Sequence, residues 1–171
     1  MCGCSLGRAL SEADTCRTYV LPKLTDAGWD DDQIREQVTF SDGRIVVVGS
    51  RAARRKQKRA DYVLRYRRDF PIAVVEAKAE YRHPADGLQQ AKEYAEILDL
   101  KFAYATNGLG IIEHDYLTGE TRELGSFPGP DELWRRLADK EGFTTEIAAR
   151  LLTPAYSGKP LRYYQEIAVN R

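Results

Sequence analysis

Apolar positions early in the chain recur at helical spacing. Cys16, Tyr19, Val20 and Leu24 fall on one face of a helix that Ser11 can cap and Gly28 can stop. Glu12 and Asp14 place acids in its first turn, where the helix dipole favours them. Pro22 lies inside the same segment and predicts a kink or a split, because proline has no N–H to give. The spacing then changes to that of strands. Residues 44–49 are a β-branched run, and residues 61–66 and 72–79 are two more runs joined by a short turn. The last is apolar on both faces until Glu76, the pattern of a central strand. The basic stretch after residue 49 reads as a connection. Leu88, Ala91, Ala95 and Leu98 predict a helix over 84–100. A strand over 101–106 follows, with Asn107 and Gly108 turning it into a partner over 109–113. Thr118 and Gly119 mark another turn, and Pro130 opens a helix through Trp134 and Leu137. The order is helix, three strands, helix, two strands, helices. It predicts an α/β domain on a mixed sheet with an antiparallel entry hairpin, flanked by helices.

Composition adds bounds. A chain of 171 residues with 43% hydrophobic and 30% charged residues suits one globular domain and excludes a disordered one. No apolar run approaches the roughly 20 residues that span a bilayer, and the start lacks a secretory pattern. Three cysteines rule out complete pairing in a monomer, so a reducing, cytoplasmic setting is expected. Cys2 and Cys4 have no downstream Cys/His pair with which to hold zinc. Net charge is zero, yet it conceals an island of Arg51, Arg54, Arg55, Lys56, Lys58 and Arg59, with Arg65 shortly after. That island is either a solvated loop or a phosphate-binding patch. His83 and His114 form no pair of useful spacing, and Gly108 and Gly110 lack the rest of a dinucleotide fingerprint.

The hairpin of 61–66 and 72–79 concentrates the candidate chemistry. A turn over 67–70 sets Tyr66 opposite Pro71 and, counting outward, Asp61 opposite Glu76. Directly opposed residues share a face, and Lys78 joins Glu76 there by the period of two. Two carboxylates and an amine therefore converge on an otherwise apolar strand pair. Facing carboxylates repel, and a hard divalent cation removes the objection. The alternative is ordinary salt bridging of Lys78 to Glu76 or to Asp61.

The string Ala60-Asp61…Glu76-Ala77-Lys78 resembles the signature of PD-(D/E)XK nucleases, with Ala60 where proline is usual. Gln90-x-x-x-Tyr94 on the next helix resembles the QxxxY motif of helicase-linked members. Glu12 stands where the family often places an extra acid. Ala105-Thr106-Asn107-Gly108, with Gly28-Trp29, Asp42-Gly43-Arg44 and Gly119-Glu120, is similar to the N-terminal nuclease domain of type I restriction enzyme R (motor) subunits. Residues 161–168 look like the Q motif that opens superfamily 2 helicase motors, without the phosphate loop that follows it there.

The resemblance implies a PD-(D/E)XK nuclease-like core over 1–155, with 156–171 as a linker and the start of a motor. It implies a DNA endonuclease without sequence specificity of its own. Asp61, Glu76 and the carbonyl of Ala77 would hold Mg²⁺, which Mn²⁺ can replace, with Glu12 as a further ligand. Lys78 would be catalytic, and Gln90 and Tyr94 would orient the site or hold DNA. Arg54, Arg55, Lys56, Lys58, Arg59 and Arg65 would bind phosphates of double-stranded DNA. ATP would act only through the motor domain, and methyltransferase and specificity subunits would be partners, with no membrane. Two other readings stay open: a DNA-binding docking module that does not cut, and a recombination-type nuclease that processes DNA ends.

Overall fold

A computed structural model describes residues 11–40, 45–48, 51–54, 57–67 and 70–153. Cys2, Cys4, Arg55, Lys56, the turn at 41–43 and the tail at 156–171 lie outside them.

The first helical segment has three parts. Helix α1 (Glu12–Thr15) starts in a capping box: Ser11 Oγ accepts from the Asp14 N–H, and the Asp14 carboxylate accepts from the Ser11 N–H. A π turn follows (Cys16–Val20), then α2 (Leu21–Asp26) with Pro22 in its first turn. The backbone stays right-handed helical at both junctions, so Pro22 is accommodated by a widened turn just before it and not by a break. The missing N–H falls where the wide turn hands over to α2 and needs no partner. Thr15, Cys16, Val20 and Leu24 are buried, and Tyr19 is half-buried. Gly28 ends the segment at φ +92°.

The main sheet has six strands: β1 (Ile34–Phe40), β4 (Lys58–Arg67), β5 (Phe70–Ala77), β6 (Phe102–Thr106), β7 (Ile111–Asp115) and β8 (Glu120–Leu124), adjacent in that order. All its pairings are antiparallel except β5 with β6, which is parallel, and the crossover between those two carries helix α3 (Leu88–Leu98). The run at 44–49 forms β2 (Ile45–Val48). It pairs with β3 (Arg51–Arg54) in a separate two-stranded ribbon, so the basic island supplies a strand where a connection was expected. Helices α4 (Pro130–Glu141) and α5 (Thr145–Leu152) complete the described chain.

Side-chain alternation along the central strands divides the core in two. Tyr62, Leu64, Phe102 and Tyr104 pack with Val20, Leu24, Leu133 and Leu137, so α2 and α4 cover one face. Val63, Val74 and Ala103 pack with Ala91, Tyr94, Ala95 and Leu98, so α3 covers the other. Alanines on both sides of the second contact let α3 lie close to the sheet.

Candidate metal centre

The β4–β5 register is the one the sequence predicts at the site and differs at the turn. Leu64 pairs with Ala73, Val63 with Val74 and Tyr62 with Val75, which brings Asp61 beside Glu76. Near the turn a bulge shifts the pairing, and Pro71 meets Arg65 instead of Tyr66. Asp61 Oδ2 accepts the backbone N–H of Ala77 at 2.9 Å, tying the carboxylate to the end of β5. Asp61 and Glu76 are buried, at 9% and 2% exposure.

Glu12 completes an acidic cluster. One carboxylate oxygen from each of Glu12, Asp61 and Glu76 lies within 4.8 Å of the others, with Glu12 on the exposed side. The turn after β6 holds the Glu12 segment against the sheet. Gly108 sits at φ +87°, and a Cβ there would stand 2.7 Å from the Tyr19 ring, so only glycine permits this approach. The Gly108 carbonyl also accepts from Lys23 Nζ at 2.5 Å.

Glu76 Oε1 accepts from Lys78 Nζ at 2.9 Å, while its Oε2 is buried with no hydrogen-bond partner among the described residues. A buried carboxylate oxygen left in that condition is costly. Burial first, and then the charge of Asp61, push the Glu76 carboxyl up to about 7 against the pull of Lys78. A divalent cation would supply the missing partner and neutralise the crowding, so the donor set fits one. Burial lowers the affinity of Lys78 for its proton, but the Glu76 carboxylate more than offsets it and holds the amine above its ordinary range.

Lys78 is held from its other side by α3. Its Nζ donates to Gln90 Oε1 at 3.1 Å, and Gln90 Nε2 donates to the Tyr94 hydroxyl at 2.8 Å. Gln90 and Tyr94 are one turn apart, so their side chains stack along one helix face. Tyr94 is also a core residue, packed edge-on to Phe40 at 5.1 Å. The two readings of this tyrosine are therefore compatible.

Two contributors were not visible in the sequence. Gln37, on a strand the sequence does not reveal, donates from Nε2 to Asp61 Oδ1 at 3.1 Å. Asn107 is the turn residue expected, yet its amide also donates to the carbonyls of Glu80 and Arg82, while its Oδ1 accepts from Leu109 and Gly110. It thereby pins the loop that follows Lys78, where Tyr81 and Arg82 border an open cleft with Glu12 and Lys78.

Of the six basic residues expected to meet phosphates, Lys58, Arg59 and Arg65 have described side chains. Lys58 pairs with Glu93 at 2.8 Å and lies over the Tyr94 ring, and Arg59 is exposed next to it. Arg54 ends β3. Arg65 is four residues beyond Asp61 on β4, roughly 13 Å along the strand. The structure thus brings together Glu12, Asp61, Glu76, Ala77, Lys78, Gln90 and Tyr94, and leaves Arg65 outside that group.

A mixed sheet with a hairpin carrying Asp61 and Glu76-x-Lys78, backed by a crossover helix, defines a PD-(D/E)XK nuclease-like α/β domain. The family model described as type I restriction enzyme R protein N terminus matches residues 31–128. The chain is 42% identical to the type I restriction enzyme EcoAI endonuclease subunit of Escherichia coli, over 95% of this chain and 21% of that protein. It is 57% identical to a solved fragment assigned as an HsdR subunit of a type I restriction enzyme from Vibrio vulnificus YJ016. That match has a TM-score of 0.83 and covers 96% of this chain and 32% of the other. The chain belongs to the family of type I restriction enzyme R subunits, as its N-terminal domain, and spans only a minor part of the relatives it matches.

Proposed function

We propose that this domain hydrolyses DNA phosphodiester bonds with Mg²⁺, as the endonuclease part of a type I restriction R subunit. The observation that carries the proposal is the buried, unpartnered Oε2 of Glu76 inside a three-carboxylate cluster, with the Lys78 amine on the same glutamate. Asp61 and Glu76 would provide the principal oxygens for the cation, with the Ala77 carbonyl and Glu12 as further ligands. Held there, Mg²⁺ would supply positive charge to the scissile phosphate and would acidify a water. Lys78 offers a fixed positive charge to the phosphoryl oxygens as they gain negative charge. Gln90 holds that amine in place, and Tyr94 holds Gln90. Arg54, Arg55, Lys56, Lys58, Arg59 and Arg65 would meet backbone phosphates of double-stranded DNA, a contact without sequence information.

The same reading extends to the whole protein. Residues 1–155 form the nuclease unit and 156–171 lead into a motor that uses ATP. Methyltransferase and specificity subunits choose the target, and the assembly works in the cytoplasm. Nicking of plasmid DNA by the chain with Mg²⁺ or Mn²⁺ tests the core of it. Lys78→Ala is expected to lose at least ~10²-fold in rate while keeping the circular dichroism of the parent. A folded Lys78→Ala variant that cuts at the parental rate overturns the assignment.

A further inference from the structure

Strand β1 contains a conformational irregularity opposite the metal centre. It runs antiparallel to β4, with Arg35 facing Val63 and Glu36 facing Tyr62, then Val38 facing Ala60 and Thr39 facing Arg59. The register is the same on either side of the gap, so no residue has been inserted. The pair absent from the ladder is Gln37 with Asp61. Gln37 adopts φ +51°, in the left-handed region. Among the described residues the other non-glycine with positive φ is Asp99, which caps the end of α3, where that conformation is ordinary. Gln37 caps nothing. It is neither glycine nor asparagine, the residues that tolerate this region best. Strain in mid-strand persists only where something over-determines it, and such residues gather at functional sites.

The side chain shows what the distorted backbone serves. Gln37 Nε2 donates to Asp61 Oδ1 at 3.1 Å, while Oδ2 accepts from Ala77 N at 2.9 Å. Each carboxylate oxygen thus has one fixed donor, one from each neighbouring strand, and the plane of the carboxylate is set. The donor on the exposed side is a neutral amide. A lysine or arginine there would compete with a cation for the same oxygen, and a hydroxyl would not span the strand gap. An amide orients Oδ1 and leaves a lone pair for a metal.

We infer that Gln37 is a positioning residue for the metal centre, its strained backbone holding an amide that orients Asp61 as a ligand. The inference rests on the proposed Mg²⁺ chemistry and assigns Gln37 no contact with substrate. Removing an outer partner of a metal ligand typically weakens metal affinity by about 10–100-fold.

Two substitutions separate the backbone from the amide. Gln37→Gly relieves the positive φ and deletes the amide, whereas Gln37→Ala deletes the amide and keeps the strain. Mn²⁺ affinity of the 171-residue chain, read from the free-ion EPR signal, is expected to fall about 10-fold or more in both. Thermal melts in chelator are expected to show Gln37→Gly at least as stable as the parent. Gln37→Gly with parental Mn²⁺ affinity overturns the inference, and so does a Gly variant that binds weakly only because it is partly unfolded. Asp61→Asn measured alongside identifies which proposal has failed. If the parent binds no Mn²⁺, or Asp61→Asn binds it as well as the parent, both the metal reading and this inference fall. If Asp61→Asn loses the ion while Gln37→Gly and Gln37→Ala keep it, the inference alone falls.

Discussion

Gln90 presents its carbonyl oxygen to the Lys78 amine at 3.1 Å and its amide nitrogen to the Tyr94 hydroxyl at 2.8 Å. One side chain thus reads both ends of a relay that starts in the core and finishes at the charge beside Glu76. The polarity is fixed: an ammonium can only donate, so Gln90 must turn its oxygen to Lys78 and its nitrogen to Tyr94.

Tyr94→Phe removes the acceptor for Gln90 but keeps the ring against Phe40. Stability in urea should change by no more than ~1 kcal/mol, the net worth of one hydrogen bond. The cleavage rate should fall several-fold, because Gln90 becomes free to rotate and Lys78 loses its second anchor. Gln90→Ala should cost more than Tyr94→Phe, and the double variant no more than Gln90→Ala alone. Additive losses in the double variant would show that Tyr94 acts by some route other than Gln90.

Glu76 makes the metal-free domain sensitive to pH in a defined direction. Its carboxyl is raised from 4.5 to about 7 by burial and then by Asp61. The folded state therefore retains a proton that the unfolded chain has lost, and the stability tied to it is complete below the unfolded value. It is lost as pH rises towards about 7 and changes little above it. Melts in chelator should show stability declining over that window, by at most ~1.4 kcal/mol per pH unit. Glu76→Gln should flatten the curve. A cation requires the ionised form, so Mn²⁺ should bind more weakly below about pH 7. A parent curve as flat as that of Glu76→Gln would contradict the assignment of this proton.

A second buried charge cluster lies on β7, facing α4. Glu113 is fully buried and accepts from Arg136, Arg122 and Tyr104, and Arg136 also pairs with Asp115. Burial raises the Glu113 carboxyl, but its hydrogen bonds from Arg136, Tyr104 and Arg122 outweigh that and leave it below the ordinary range. Arg136→Met removes the main counter-charge and should destabilise by about 3–5 kcal/mol in urea unfolding. Adding Glu113→Gln should recover part of the loss, since it removes the fully buried charge and leaves Asp115 as the one buried carboxylate that has lost its Arg136 partner. Mn²⁺ affinity should be unchanged, which separates this cluster from the metal centre.

The parts of the fold that could be read in advance are those where burial writes a period into the sequence. β5 is apolar on both faces up to Glu76, and α3 places Ala91, Tyr94, Ala95 and Leu98 on one side, so both are legible. β1 is buried chiefly at its ends, Ile34 and Phe40, and β8 is almost wholly exposed, so neither carries an alternation to detect. The Asp61–Glu76 register was legible because counting from the turn is correct at that end, even though a bulge alters the pairing at Pro71. Gln37 was not. A positive φ in a glutamine is imposed by tertiary structure, and nothing in the residue type announces it.

The sharpest test of the paired carboxylates needs no turnover. Asp61 sits beside Glu76 and accepts one hydrogen bond on each oxygen, from Ala77 N and Gln37 Nε2. In Asp61→Asn the side-chain oxygen can keep the Ala77 N–H, and the new amide nitrogen then faces Gln37. Rotation of the Gln37 amide by half a turn presents its oxygen instead, so both hydrogen bonds survive. Repulsion with Glu76 disappears at the same time, a cross-strand effect of roughly 0.2–1 kcal/mol. In chelator Asp61→Asn should therefore melt at or slightly above the parent temperature. With Mn²⁺ at a hundredfold excess over its dissociation constant the parent should gain about 2.7 kcal/mol by linkage, and the variant should lose most of that gain. A structural role for Asp61 predicts the opposite pattern, with the variant clearly less stable in chelator and neither protein responding to the metal. That outcome would remove Asp61 from the centre and, with it, the reason for the hairpin to bring two carboxylates together.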